Sequence, residues 1–166
     1  MTQTFDSVRN DILKRNFMPI YLLMGEESYF IDELTDLLEE NVLTETEKDF
    51  NMQIFYGVDS DVKAIISTAR RYPMMADHQL IIVKEAQELE HFEMLDLYAK
   101  NPMPTTVLVL NYKHGSVDKR KSVVKSIEKI GVIFESKKCT KIRFRLSLNR
   151  FFNINPSGLK IKPPRC

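Results

Sequence analysis

The sequence contains 166 residues, of which 43% are hydrophobic and 28% are charged, and its formal net charge is +1. This composition is typical of one globular domain, because disordered chains are less apolar and collagen-like chains contain far more glycine. The sequence has no apolar stretch near the roughly 18 residues of a membrane helix and no secretory signal layout, so we expect a cytoplasmic protein. Cys139, Cys166 and the three histidines match no zinc-binding spacing, so no metal is expected.

The charges are distributed unevenly along the chain. Residues 113–166 hold fifteen Lys and Arg against three acidic residues, and residues 139–166 hold seven bases and no acid. Apolar periodicity is also lost after Lys138. We therefore expect one folded domain over residues 1–138, followed by an aberrant basic tail over residues 139–166 that is partly disordered and adds little to the core.

The first elements follow from apolar spacing. A short amphipathic helix is predicted before Pro19, with apolar positions at Phe5, Val8, Ile12 and Leu13. Ile20 to Met24 is a continuous apolar run, typical of a strand buried on both faces. A helix capped by Ser28 is predicted next, and its apolar stripe is Phe30, Ile31, Leu34, Leu37, Leu38 and Val42.

This strand and helix unit recurs three times. The predicted strands are Met52 to Tyr56, Leu80 to Val83 and Val107 to Leu110, and the helices after them contain Val62 to Ala69, Phe92 to Tyr98 and Val123 to Ile130. Val132 to Phe134 is predicted as a fifth strand. Such alternation predicts an α/β fold of three layers, with a five-stranded, mostly parallel sheet between helices on both faces.

Ligands of open parallel sheets bind beyond the carboxyl ends of the strands, so the loop after the first predicted strand is informative. A phosphate-binding loop reads GxxxxGK[ST], whereas this loop reads Gly25-Glu26-Glu27-Ser28-Tyr29-Phe30. Two carboxylates and two aromatic rings disfavour a polyphosphate there. His78, His91 and His114 fall in separate loops without a nucleophile motif, so no catalytic set is predicted.

The segment between the second crossover helix and the next strand reads Ala69-Arg70-Arg71-Tyr72-Pro73-Met74-Met75-Ala76-Asp77-His78. Pro73 suits the first position of a short helical turn, which would display Met74 and Met75 beside Tyr72. Methionine and tyrosine are favoured contact residues at interfaces. The pattern alone favours the alternative that both methionines fill gaps in the core.

Several short motifs occur in order over residues 5–138. They are Pro19-Ile20-Tyr21-Leu22-Leu23-Met24-Gly25-Glu26-Glu27, Phe50-Asn51, Tyr72-Pro73-Met74-Met75-Ala76, Asn101-Pro102 with Thr106-Val107-Leu108-Val109-Leu110, and Asp118-Lys119-Arg120-Lys121. Together they resemble the delta subunit of bacterial DNA polymerase III, a family that forms part of the clamp loader.

The resemblance implies a first domain of the AAA+ (P-loop NTPase-like) type with a degenerate nucleotide loop. It further implies a non-catalytic subunit of a DNA polymerase (nucleotidyltransferase) complex, which binds the beta sliding clamp and opens its ring for loading onto DNA. The clamp contact falls on Tyr72, Pro73, Met74 and Met75. The gamma/tau and delta prime subunits are the other implied partners, DNA is reached through the complex, and no cofactor is implied. The alternative function is a nucleotide-binding or nucleotide-hydrolysing α/β domain.

The tail departs from the family. After Lys137-Lys138 the family pattern resembles Leu-Tyr-Glu-Asn-Lys-Ile-Pro, whereas this chain has Cys139-Thr140-Lys141-Ile142-Arg143-Phe144-Arg145. These residues can be back-translated with the chosen codons TGT ACG AAA ATA AGA TTC CG, which encode the family pattern once one C is added in front. We therefore interpret the tail as the product of a one-nucleotide deletion near codon 139. The family's lid and collar domains are then missing, and a folded but inactive product is a further possibility. The alternative is a basic arm for nucleic acid, with Phe144, Phe151 and Phe152 stacking on bases.

Overall fold

The computed structural model describes residues 2–137. The predicted tail, with its suggested frameshift, lies outside the described residues. The helices are α1 (Phe5–Leu13), α2 (Ser28–Val42), α3 (Glu45–Asn51), α4 (Val62–Ala69), α5 (Leu95–Ala99) and α6 (Ser122–Ile130), with 3-10 turns at Ala86–Glu88 and Phe92–Met94. The strands are β1 (Thr2–Gln3), β2 (Ile20–Gly25), β3 (Met52–Tyr56), β4 (Gln79–Lys84), β5 (Thr106–Lys113) and β6 (Val132–Ser136).

The strands form one sheet in the order β1-β6-β2-β5-β4-β3, and every neighbouring pair is parallel. The central strands are continuous apolar runs because helices cover both of their faces. Leu22 pairs with Leu110, and Ile81 pairs with Leu108. Each connection from a strand through a helix returns the chain to the side of the sheet where the strands begin. We call this side the amino edge, and the side where the strands end the carboxyl edge.

Two apolar clusters cover the two faces of the sheet. One cluster joins α4, α5 and α6 to strand residues such as Leu22 and Ile81. The other joins α1 and α2 to strand residues such as Tyr21 and Leu80, which directly precede Leu22 and Ile81 in the sequence. Successive strand residues belong to opposite clusters because side chains alternate across a strand. The predicted three-layer α/β class is therefore confirmed.

The sheet has six strands in the described residues, so the predicted number of five is wrong. The additional strand β1 is two residues long and pairs with β6 at the sheet edge, through Thr2 opposite Ile133. Two polar residues cannot show an apolar period, which is why the sequence gives no sign of it. The segment predicted as a helix over Phe92 to Tyr98 begins instead as a 3-10 turn and becomes helical at Leu95.

Helix α3 was not predicted, and it places Asn51 at the start of β3. Its first turn is fixed by Glu47, whose carboxylate accepts hydrogen bonds of 2.8 Å from both the backbone N–H and the hydroxyl of Thr44. These two bonds lower the pKa of Glu47. The arrangement satisfies donors at the helix N-terminus that would otherwise lack partners. Helix α3 then ends at Asn51, directly before the edge strand.

Candidate functional site

The four predicted site residues lie together in the loop between α4 and β4. This loop is at the amino edge of the parallel sheet, opposite the edge where nucleotide loops lie. Tyr72 is 77% exposed, Met74 is 62% exposed and Met75 is fully exposed, while Pro73 is partly buried. The interpretation of Met74 and Met75 as core residues is therefore wrong. We call Tyr72, Pro73, Met74 and Met75 the apolar tip.

The backbone of the apolar tip bends and does not form the predicted helical turn at Pro73. The reason lies at Met75, whose φ of 54° is in the left-handed region. A right-handed helical turn cannot continue through such a residue. The reversal there leaves the Met75 side chain in open solvent. Arg70 and Arg71 precede the tip and are also exposed.

Asn51 holds the apolar tip from the end of α3. Its Oδ1 accepts a hydrogen bond of 2.6 Å from the backbone N–H of Met74, and its Nδ2 donates one of 2.9 Å to the Met74 carbonyl. The Asn51 side chain is buried, with a residue exposure of 5%. Both backbone polar groups of Met74 are thus satisfied by one side chain that belongs to another element.

A second anchor lies beneath the beginning of the loop. The Gln79 Nε2 donates to the Arg71 carbonyl and to the Thr106 hydroxyl oxygen, both at 2.7 Å. The Thr106 hydroxyl in turn donates to the Ala69 carbonyl at 2.8 Å. The Tyr98 hydroxyl also lies within 3.4 Å of the Ala69 carbonyl, and burial raises the pKa of Tyr98. This buried network ties the end of α4 to the first residues of β4 and β5.

Neither anchor was predicted. Asn51 belongs to a motif that carries the family resemblance, but its partner is 23 residues away in the sequence. Gln79 and Thr106 are polar residues at the heads of apolar strands, and 7% and 0% of their surfaces are exposed. A polar residue beginning such a strand is a usable signal, because a buried polar group needs a hydrogen-bond partner. Sequence spacing does not tell which partner it finds.

The opposite, carboxyl edge contains the loop after β2. The N–H of Gly25 donates to the carbonyl of Gly115 at 2.8 Å, and the N–H of Glu27 donates to the Ser136 hydroxyl oxygen at 3.1 Å. A Cβ atom on Gly25 would lie 2.2 Å from the Ser136 carbonyl oxygen. The loop therefore packs directly against the end of β6. Backbone N–H groups that a phosphate-binding loop directs at its ligand are here bonded to the protein itself.

The predicted role of Ser28 as the cap of α2 is wrong. The helix begins at Ser28, so the cap position belongs to Glu27, and no side chain there bonds the first turn. Ser136, at the end of the neighbouring strand β6, takes part of this function because its hydroxyl oxygen accepts a hydrogen bond from the Glu27 N–H. Nearby, the Lys113 ammonium and the Asp32 carboxylate form an ion pair of 2.7 Å. The beginning of α2 is therefore held by residues of both neighbouring strands, β5 and β6.

Among residues 2–137, no group of three or more His, Cys, Asp or Glu side chains is placed to hold a metal ion. Within the same range, none of the helices combines the length and apolar character needed to span a membrane.

The fold and the site define a domain of the AAA+ type, with a packed loop at its nucleotide edge and an exposed apolar tip at the opposite edge. Comparison with known proteins narrows this class. The chain belongs to the DNA polymerase III delta subunit family, because the model of that family matches residues 21–137. The resemblance found in the motifs is thereby confirmed.

Individual relatives agree with this assignment. The chain is 29% identical over 140 residues to the DNA polymerase III subunit delta of Bacillus subtilis, covering 78% of this chain and 40% of the relative. The solved Bacillus subtilis DNA clamp loader delta protein (YqeN) superposes with a TM-score of 0.72 at 25% identity, covering 82% of this chain and 43% of that structure. A DNA polymerase III gamma subunit-related protein from Thermotoga maritima shares the fold, with a TM-score of 0.57 at 15% identity, over 89% of this chain and 50% of that protein. The chain thus spans less than half the length of its delta relatives.

Proposed function

We propose that this chain binds the beta sliding clamp through the apolar tip and helps to open the ring for loading onto DNA. The observation that carries the proposal is the exposure of Met74 and Met75, two adjacent apolar side chains on a loop that the protein anchors from below. Apolar side chains displayed together in this way suit a pocket on a partner. Membership in the delta subunit family, and the solved relative named as a clamp loader delta protein, support the sliding clamp as that partner.

The expected contribution of the tip follows from burial. Full burial of one methionine side chain contributes about 1.5–3 kcal/mol. Two such side chains entering a pocket would contribute about 3–6 kcal/mol, which corresponds to a factor of at least about 100 in affinity. The flexible, polarisable thioether also adapts well to the shape of a pocket.

Ring opening requires that the tip bind the open clamp more tightly than the closed one. A ligand with equal affinity for both states shifts neither, whatever its strength. The proposed role is therefore mechanical, as a non-catalytic subunit in the cytoplasm, and ATP acts through the other clamp-loader subunits. Contacts with the gamma/tau and delta prime subunits, and with DNA through the complex, belong to this proposal for the longer relatives.

The test is isothermal titration calorimetry of the chain with the sliding clamp of the same organism. The Met74→Ala, Met75→Ala double variant is expected to bind at least about 100-fold more weakly, for the burial reason given above. The matched control is a Val58→Ala, Leu97→Ala double variant, because these residues are 71% and 57% exposed but lie on other elements. Equal affinity of the parent and the methionine variant, or no binding by the folded parent chain, would refute the proposal.

The alternative function is tested on the same material. We expect no micromolar binding of ATP in the presence of magnesium, because the amides of Gly25 and Glu27 are bonded to Gly115 and Ser136. Saturable ATP binding in that range would favour the nucleotide-binding alternative.

A further inference from the structure

The hydrogen bonds of Asn51 are aimed at the apolar tip. The carboxamide spans the Met74 peptide groups, accepting from the N–H at 2.6 Å and donating to the C=O at 2.9 Å. The same Nδ2 lies 3.2 Å from the carbonyl of Glu47, one turn earlier in α3. Asn51 thus connects a loop without regular structure to a helix end that is itself fixed at the head of β3.

The hydrogen bonds between Asn51 and Met74 matter because of the backbone conformation of the next residue, Met75. Met75 has a φ of 54°, a left-handed conformation that non-glycine residues adopt only where the surrounding structure imposes it. The two bonds to Asn51 fix the peptide groups on both sides of the Met74 Cα atom. They therefore set the backbone immediately before the reversal, and Met75 is displayed fully exposed.

We propose that Asn51 is a positioning residue that holds Met74 and Met75 in their clamp-binding arrangement before the clamp arrives. This inference rests on the proposed function of the apolar tip. A loop ordered in advance loses less conformational entropy on binding, so the same side chains give a higher affinity. Asn51 acts on the clamp only through the tip that it orders.

The inference is tested with three variants of the full chain. Asn51→Ala removes both bonds to Met74, and Asn51→Asp keeps an acceptor for the Met74 N–H but loses the donor. The matched control is Asn111→Ala, because Asn111 is a buried asparagine, 1% exposed, whose Oδ1 accepts from the Thr35 hydroxyl at 3.1 Å. It lies near the carboxyl end of β5, away from the apolar tip.

Each variant is titrated with the clamp at a temperature at which circular dichroism shows it fully folded. We expect Asn51→Ala to weaken binding at least about tenfold, because the freed loop must then be ordered on binding. Asn51→Asp should bind with intermediate affinity, and Asn111→Ala should stay within about twofold of the parent because it leaves the loop ordered. In the absence of clamp, the amide hydrogen of Met74 should exchange faster in Asn51→Ala than in the parent. In Asn111→Ala its exchange rate should equal that of the parent. That exchange rate reports the hold itself and does not depend on the clamp.

The outcomes separate the two claims. Parent-like affinity of Asn51→Ala, or an equal loss in Asn111→Ala, would overturn the positioning role while the clamp-binding function stands. An unchanged exchange rate at Met74 would also overturn it. A folded parent chain that fails to bind the clamp would refute the proposed function and, with it, this inference.

Discussion

Replacing Gln79 by alanine tests how firmly the buried network beneath the apolar tip is held. The side chain makes two hydrogen bonds of 2.7 Å, to the Arg71 carbonyl and to the Thr106 hydroxyl oxygen, and an amide NH2 group has two hydrogens to give. A buried partner left without its bond costs about 1–3 kcal/mol. With the small cavity added, we expect the free energy of unfolding to fall by about 2–4 kcal/mol.

The Thr106→Val variant tests the same network from the other side. It removes the donor to the Ala69 carbonyl, at 2.8 Å, and the acceptor for Gln79, while keeping the shape of the side chain. We expect a loss of about 1–3 kcal/mol. The double variant should lose less stability than the sum of the two single-variant losses, by at least about 0.5 kcal/mol, because the bond between Gln79 and Thr106 is lost only once.

Urea unfolding followed by far-ultraviolet circular dichroism measures these values, since the chain has no tryptophan for fluorescence. Strict additivity of the two variants would refute the hydrogen bond between the side chains. A Gln79→Ala loss below about 0.5 kcal/mol, as for a typical surface change, would refute the buried network as a whole.

Two further predictions concern other parts of the fold. Gly25→Ala should lower the free energy of unfolding by more than about 3 kcal/mol, because its φ is 132° and the new Cβ would lie 2.2 Å from the Ser136 carbonyl oxygen. The control Gly115→Ala meets only a contact of 3.7 Å, so a comparable loss there in urea unfolding would contradict this reasoning. The Lys100 ammonium lies 2.8 Å from the Asp96 carboxylate and lowers the pKa of Asp96. The ion pair therefore stabilises the folded state at neutral pH, and this stabilisation is lost as the pH falls through the folded-state pKa of Asp96. The stability difference between the parent and Asp96→Asn should accordingly shrink between pH 7 and pH 3, and a difference independent of pH would count against it.

The parts of the fold that could be predicted are those in which burial produces an apolar run or a regular apolar spacing in the sequence. Strands β2, β4 and β5 are buried on both faces and therefore appear as apolar runs. Helix α3 could not be predicted, because Phe50 is the one apolar residue among its seven residues and is itself 70% exposed. The helix is specified instead by the hydrogen bonds between Thr44 and Glu47 at its start.

The site was predicted only in part for a similar reason. Residue types alone favoured a core position for Met74 and Met75, since methionine usually fills core gaps. Their exposure depends on the left-handed backbone at Met75 and on the distant side chain of Asn51. Neither leaves a local pattern around residues 72–75. The resemblance to the family pointed to the same loop on other grounds, because family motifs reflect function, which periodicity does not, and the structure shows Met74 and Met75 exposed there.

The two edges of the sheet are fixed by different residues, and this has a functional consequence. The carboxyl edge at β2 is closed by contacts of Gly25 and Glu27 with Gly115 and Ser136. The amino edge at β3 and β4 carries the apolar tip on its own two anchors. Changes at one edge that leave the sheet folded need not alter the other. A domain of this type can therefore lack a nucleotide-binding loop at one edge and keep an anchored apolar tip at the other, and the tip is the part that the proposed function requires.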